Sequence, residues 1–338
     1  MKTRLLSICL VAILLFSMVS CMLFEEKGEN PQEETPLINV YTLNGTTGFG
    51  MAKLMSDAKA GTTTEKYNFS VQTDASMVTS ALLNGSADIA ALPTNAAANI
   101  YNKSAGEVVV LAVNTLGCLY LLTTQNETVT SFEDLRGKTV YVPAQNPTFI
   151  FTYLCQQNGL TVGEDITINS STYAQPAALR DAVSAGIVDI AVLPEPMVTI
   201  AINSAKSAGE GTVITNAMDL TAEWNKVAPA GSLVQGCIVV RRAFLEEHAD
   251  LVETFLKEYK ASIEFLSTNL DEASQMIVDN GIFANANVAQ KALPNCNVCY
   301  LDGAEMKSAM QTYLSVIFGI APASVGGKLP ADAFYYTK

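Results

Sequence analysis

The segment Leu83-Asn84-Gly85-Ser86-Ala87-Asp88-Ile89-Ala90-Ala91-Leu92-Pro93 recurs 101 residues later as Ser184-Ala185-Gly186-Ile187-Val188-Asp189-Ile190-Ala191-Val192-Leu193-Pro194. A second pair, Ser104-Ala105-Gly106-Glu107 and Ser207-Ala208-Gly209-Glu210, repeats at an offset of 103. In each copy a helical stretch closes at a Gly, which tolerates the left-handed conformation of a helix C-cap. A short apolar strand then ends at a Pro, where the chain has to leave the hydrogen-bond ladder. Two matches at nearly the same spacing argue for two lobes of similar α/β build.

Around the repeats, β-branched runs alternate with helix-length segments. In the first lobe Ile38–Leu43, Tyr67–Thr73, Asp88–Leu92 and Val108–Val113 read as strands, with helices at Gly48–Lys59, Ser76–Leu83 and Ala96–Tyr101. The second lobe starts near Ser131, with strands Thr139–Val142, Asp165–Ser170 and Val188–Leu193 around helices Pro147–Gln157 and Gln175–Ala185. Such alternation predicts βαβ units on a parallel sheet. Buried parallel strands are nearly continuous in apolar residues, as IAAL and VVVLAV are here. Gln235–Arg241 reads as a returning strand, and Arg242–Asn269 as the longest amphipathic helix. The expected fold class is therefore α/β, with two similar lobes of mainly parallel sheet flanked by helices. Two crossover strands, Leu119–Thr123 and Gly236–Val240, are expected to join them. Residues 37–117 plus 241–338 form lobe 1 on this reading, and residues 118–240 form lobe 2 with the crossover strands.

The amino terminus has a different character. Lys2 and Arg4 precede an uncharged apolar run of 15 residues, Leu5–Val19. A membrane-spanning helix needs about 20 residues, so residues 1–20 read as an export signal. The run closes on Ser17-Met18-Val19-Ser20-Cys21, which resembles the lipobox of bacterial lipoproteins. That resemblance implies cleavage before Cys21, lipid on its sulfur and anchoring outside the cytoplasm at the cell membrane. Met18 departs from the Leu usual at that position. Two acyl chains give stable anchoring where one is marginal. Residues 21–36 are rich in Glu, Pro and Asn and read as a lipidated Cys followed by a disordered tether.

Composition removes several functions. With Lys plus Arg at 20 and Asp plus Glu at 33, the net charge is -13. A chain this acidic repels phosphate backbones, so no nucleic-acid partner is expected. The single histidine, His248, removes most chemistry built on imidazole, which covers Ser-His-Asp and Cys-His hydrolysis and His-rich metal sites. Beyond Cys9 and Cys21 there are Cys118, Cys155, Cys237, Cys296 and Cys299. Cys296-Asn297-Val298-Cys299 is a lone C-x-x-C with no further pair or nearby His, so no metal is expected. It reads as a local disulfide or as two free thiols. Cys118 and Cys237 lie on the two expected crossovers, where a disulfide would restrain lobe motion. No cofactor is expected.

Several of these residues together carry a family resemblance. They are the paired G-x-x-D-I-A-x-L-P segments, Ser131-Phe132-Glu133-Asp134-Leu135-Arg136-Gly137-Lys138-Thr139-Val140, the turn Leu193-Pro194-Glu195-Pro196, and the return VVRRAFLEEHADLVETFLKEYKASIEFL. Over about residues 37–320 the chain resembles type II periplasmic binding proteins, the substrate-binding subunits of ABC importers. Within that fold it looks like the group serving nitrate, taurine, aliphatic sulfonates and thiamine pyrimidine precursors. The resemblance implies a monomer that closes its lobes on a small solute and delivers it to a permease with an ATPase subunit. Some relatives on this fold are pyrimidine-forming enzymes with a tight Cys cluster in the pocket. The chain lacks such a cluster, so a non-catalytic receptor is expected.

In open α/β sheets, ligands sit outside the carboxyl ends of the strands. The first lobe offers Asn44, Thr46, Thr47, Ser76, Thr94, Asn95 and Asn114 at such ends. The second offers Gln145, Asn146, Thr148, Tyr173 and Glu195, and the return loop adds Gln235. The Gly-rich turn Asn44–Gly50 opens a helix, so its free N–H groups suit an anion, or Thr46 or Thr47 caps the helix. Its spacing matches neither G-x-G-x-x-G nor a P-loop. No Lys or Arg stands at any of these ends, whereas an ionised sulfonate usually meets a charged fork. A neutral, flat, polar solute like a pyrimidine precursor is therefore favoured, with sulfonate or nitrate held by backbone amides as the other option. Glu195 would accept from an amine or ring N–H, or cap the helix that follows it. Tyr173 would stack on a flat solute or pack within its own lobe.

Overall fold

The computed structural model describes residues 36–207 and 211–337. The export signal, Cys21 and the tether through residue 35 lie outside the described residues, as do Ala208, Gly209 and Glu210 of the second repeat copy.

Numbered in chain order, the first part holds β1 (Ile38–Leu43), α1 (Thr46–Phe49), α2 (Ala52–Ala60), β2 (Tyr67–Gln72), α3 (Ala75–Leu83), β3 (Ile89–Pro93), α4 (Thr94–Lys103) and β4 (Val108–Leu116). The second holds β5 (Leu119–Thr124), β6 (Thr139–Tyr141), α5 (Asn146–Gln157), β7 (Thr167–Asn169), α6 (Pro176–Ser184), β8 (Ile190–Pro194), α7 (Met197–Ser207), β9 (Ile214–Asp219) and α8 (Leu220–Val227). The chain then returns through β10 (Val234–Arg241), α9 (Arg242–Glu247), α10 (Ala249–Thr268), α11 (Leu270–Asp279), α12 (Ala286–Ala292), β11 (Val298–Leu301) and α13 (Gly303–Ile320).

Two sheets result, in the orders β11-β4-β10-β3-β1-β2 and β7-β6-β8-β5-β9. Each is parallel over three strands, β2-β1-β3 and β7-β6-β8. Each then takes in an antiparallel strand, β10 beside β3 and β5 beside β8. Both strands enter from the other lobe, β5 directly after β4 and β10 after α8 and residues 228–233, so neither is the second strand of a βαβ unit within its own sheet, where a parallel neighbour would arise.

The crossings sit elsewhere than expected. Both expected crossover strands lie wholly inside one sheet: Leu119–Thr123 in β5, and Gly236–Val240 in β10 between β3 and β4 of the first sheet. The chain passes between sheets at Gly117–Cys118 and again in residues 228–233. The sheet therefore puts β10 with the first lobe, not at the end of the second. The run Gly236–Val240 is buried throughout, as a central strand must be.

Two expected helices are broken. Arg242–Asn269 divides at His248, which takes φ -136° and ψ 47° and separates α9 from α10. Gly48–Lys59 divides into α1 and α2 around Gly50, where a Cβ would stand 2.7 Å from the Tyr259 hydroxyl and 3.0 Å from Ile263. The Ser262 hydroxyl of α10 donates to Gly50 O at 2.6 Å and accepts from Leu54 N at 3.1 Å, which takes the place of the helical bond between them.

The repeated Asp has the same task in each lobe. Asp88 Oδ2 accepts from Asn39 N at 3.0 Å and Asn39 Nδ2 at 3.2 Å, and its Oδ1 meets Arg241 Nη2 at 2.9 Å. Asp189 Oδ1 accepts from the Thr124 hydroxyl and, at 3.0 Å, from Asn126 Nδ2. Each carboxylate ties the end of its own strand to neighbouring chain, but only the first does so against a cation.

Three apolar clusters follow from the two sheets. One packs α2, α10, α11 and α12 on the first sheet, and one packs α6 and α7 on the second. The third runs through both lobes. Met306, Met310, Tyr313, Leu314 and Ile317 of α13 are buried in it, and α13 packs on α4 of one lobe and α5 of the other.

Candidate functional site

The first strand-to-helix turn of each lobe holds the same unusual backbone. Gly45, ahead of α1, has φ 82° and ψ -159°, and Gln145, ahead of α5, has φ 67° and ψ -129°. Glycine enters this region freely, whereas a side-chain-bearing residue is strained there. Gln145 is held by bonds around it: its carbonyl accepts from Phe149 N at 3.1 Å, and Ala144 N donates to Ala174 O at 3.0 Å. These turns aim Thr46 and Asn146 at the opposite lobe.

The lobes meet at a seam of neutral polar groups. The Thr46 hydroxyl donates to Glu195 O at 2.8 Å, and Asn146 Nδ2 donates to Asn95 Oδ1 at 2.7 Å. The Tyr120 hydroxyl donates to Asn295 O at 3.0 Å, and Cys118 N donates to Gln235 Oε1 at 2.7 Å. Five of the thirteen residues chosen from the sequence are joined this way: Thr46, Asn95, Asn146, Glu195 and Gln235. No Lys or Arg takes part in these four bonds.

The others play different parts. Asn114 is buried and donates through Nδ2 to Thr47 O at 2.9 Å and to the Tyr259 hydroxyl at 3.1 Å, which pins the α1 turn. Thr94 is buried at the first position of α4. Thr148 folds back on Pro143 O at 2.8 Å. Asn44, Ser76 and Gln145 are exposed, and Ser76 N is capped by Asp74 at 2.7 Å. Tyr173 packs on Tyr141, with ring centroids 5.8 Å apart, against the outer core of its own lobe. Of its two expected roles it takes lobe packing.

Glu195 takes the capping role. It is 4% exposed, and its carboxylate accepts from Thr199 N at 3.1 Å and the Thr199 hydroxyl at 3.0 Å. Burial raises its pKa above the ordinary 4.5, outweighing the bonds from Thr199 and Asn295 that favour the charged form. A carboxyl raised by folding binds its proton more tightly in the native state, so stability falls as pH rises through and above 4.5. Glu195→Gln is therefore expected to be at least as stable as the parent at pH 7, the advantage vanishing below pH 4.5. Paired denaturant melts at the two pH values would read this. A Gln variant markedly weaker at neutral pH would show that the charge-assisted cap outweighs burial.

The sequence reading missed Tyr120, Asn295 and Cys296. They reach the seam from the amino end of β5 and from the 3-10 turn after α12, where a rule that looks at the carboxyl ends of strands does not search. Cys296 Sγ lies 3.9 Å from the Thr46 hydroxyl. All five described cysteines are free thiols, so neither Cys296–Cys299 nor Cys118–Cys237 is bridged. Burial pushes the Cys118 thiol up to about 12, and Cys296 well above its ordinary 9.0. Such thiols are poor nucleophiles and poor metal ligands. Among the described residues no group of three His, Cys, Asp or Glu is placed to hold a metal.

Solved structures share this architecture. An ABC transporter protein of Parabacteroides distasonis superposes with a TM-score of 0.73 at 23% identity, covering 89% of this chain and 99% of that one. The periplasmic aliphatic sulphonate-binding protein of Escherichia coli gives 0.68 at 14% identity, covering 89% and 92%. The periplasmic nitrate-binding protein of Synechocystis gives 0.60 at 13%, covering 87% and 84%. At these identities the likeness establishes the fold. No curated protein sequence matches the chain. Residues 51–284 match the family described as ABC transporter, phosphonate, periplasmic substrate-binding protein. The chain is thus a member of this family of periplasmic ABC-transporter substrate-binding proteins.

Proposed function

We propose that the protein is a lipid-anchored receptor that captures a small polar solute at the seam between its two sheets and hands it to an ABC permease. The observation that carries this reading is the set of uncharged hydrogen bonds between opposed lobes, led by the Asn146–Asn95 carboxamide pair and the Thr46 hydroxyl on the Glu195 carbonyl. In this scheme residues 1–20 are removed, Cys21 carries the lipid, and the segment to residue 36 is the tether. The receptor acts as a monomer, alters no bond in its solute, and presents its closed form to the permease and ATPase. The lobes hinge where the chain passes between sheets. The solute shifts the open–closed equilibrium by its greater affinity for the closed state.

The lack of Lys or Arg in the seam bonds favours a neutral solute, such as a pyrimidine precursor, over a sulfonate or nitrate. Glu195 and Tyr173 lend that preference nothing, since Thr199 and Tyr141 occupy them. A thermal-shift screen over a metabolite library, with taurine, alkanesulfonates, nitrate and a hydroxymethyl-aminopyrimidine included, tests the reading. A true solute is expected to add about 2.7 kcal/mol of stability at a hundredfold excess over its dissociation constant. It should also compact the molecule in small-angle scattering. A library that moves neither melting nor scattering would sink it.

A further inference from the structure

Asn146 brings one carboxamide into the seam and uses half of it. Its Nδ2 donates across to Asn95 Oδ1 at 2.7 Å, while Oδ1 of the same planar group is enclosed and has no hydrogen-bond partner among the described residues. An enclosed acceptor with no donor is uncommon in folded proteins and calls for an explanation. The residue before Asn95, Thr94, is fully buried, and its hydroxyl has only the weakly bonding Cys237 thiol beside it. The turn that delivers Asn146 passes through the strained Gln145 backbone, a condition that persists where the surroundings hold it in place.

We propose that Asn146 is a specificity-determining residue of the solute site, and that its Oδ1 selects a solute presenting an N–H or O–H donor. This rests on the receptor reading above and narrows it to a chemical class. Amides, sulfonamides, amino-heterocycles and singly protonated phosphonates carry such a donor. A sulfonate or nitrate presents only acceptors, which would face the Asn146 oxygen oxygen-to-oxygen. No cation in the seam bonds offsets that repulsion. Had the two carboxamides been turned the other way, the enclosed group would be a donor and the preference would invert.

The test is calorimetry on the full chain with three small probes of similar shape: methanesulfonate, methanesulfonamide and methylphosphonate at pH 6. The sulfonamide and the singly protonated phosphonate are expected to bind at least about tenfold more tightly than methanesulfonate, about 1.4 kcal/mol. Asn146→Leu should erase the difference, and Asn146→Asp, which keeps an acceptor, should retain it. Melting curves confirm that each variant is folded. Methanesulfonate binding as tightly as the other two, or a preference that survives in Asn146→Leu, overturns the inference. Silence from all three probes also overturns it. In each of these cases a hit in the metabolite screen leaves the receptor reading standing, so the two ideas fail separately.

Discussion

Gly48→Ala is expected to lower the melting temperature by on the order of 5–10 °C. A Cβ at Gly48 would lie 2.0 Å from Leu43 O, 2.9 Å from Ile282 Cγ2 and 3.2 Å from Leu43 C. The first and third are backbone atoms, so no side-chain rotation relieves the clash and the α1 turn has to shift. Overpacking of this sort costs about 3 kcal/mol. The same turn carries Thr46 and Thr47 and is tied to Ile282 by Gly45 N at 3.0 Å, so solute-induced stabilisation should fall as well. Gly319→Ala is the control. It lies inside α13 with nothing within 4 Å of the new methyl, and should gain about 0.5–1 kcal/mol from reduced chain entropy. A Gly48→Ala protein that melts with the parent would mean the α1 turn is more pliable than its contacts indicate.

The two copies of the repeated Asp should differ sharply when removed. Asp88→Ala leaves Arg241 without its carboxylate, where Arg241 Nε is already enclosed and without a partner, and it strips Asn39 N of its acceptor. Breaking a fully buried pair from one side costs about 3–5 kcal/mol. With the Arg241 side chain 27% exposed, water offsets part of this and the loss should be about 3 kcal/mol. Asp189→Ala removes bonds only from the neutral Thr124 and Asn126 groups at a half-buried position, and should cost about 1–2 kcal/mol. Chemical denaturation of both variants reads the difference. Equal losses would show that the Arg241 contact contributes little.

Much of the fold was legible because burial leaves a periodic trace. The Gly-x-x-Asp-Ile repeat announces two lobes, and the apolar runs place β1 at its observed ends and β3 and β8 within two residues of theirs. What periodicity cannot carry is which sheet buries a strand. Gly236–Val240 is apolar whether it bridges two lobes or lies between β3 and β4. Helix breaks were hidden for a related reason. The break at Gly50 is set by a partner distant in sequence, the Ser262 hydroxyl between Gly50 O and Leu54 N, and no local pattern reports it. At the seam, the strand-end rule found Thr46, Asn95, Asn146, Glu195 and Gln235. It also offered Ser76 and Tyr173, which are engaged in their own lobes, and it passed over Asn295 and Cys296. Glu195 shows the limit most clearly, since its type and position fit a ligand contact and a helix cap equally, and only the bonds to Thr199 decide between them.

Because α13 sinks its apolar face into a core common to both halves, neither half is equipped to stand as an independent part. A biosensor made by dividing the polypeptide at a passage between sheets would expose Met310 and Tyr313 in one fragment and strip their cover from the other. Reporter groups are better attached to the intact scaffold, on surfaces that the shared helix leaves free to swing.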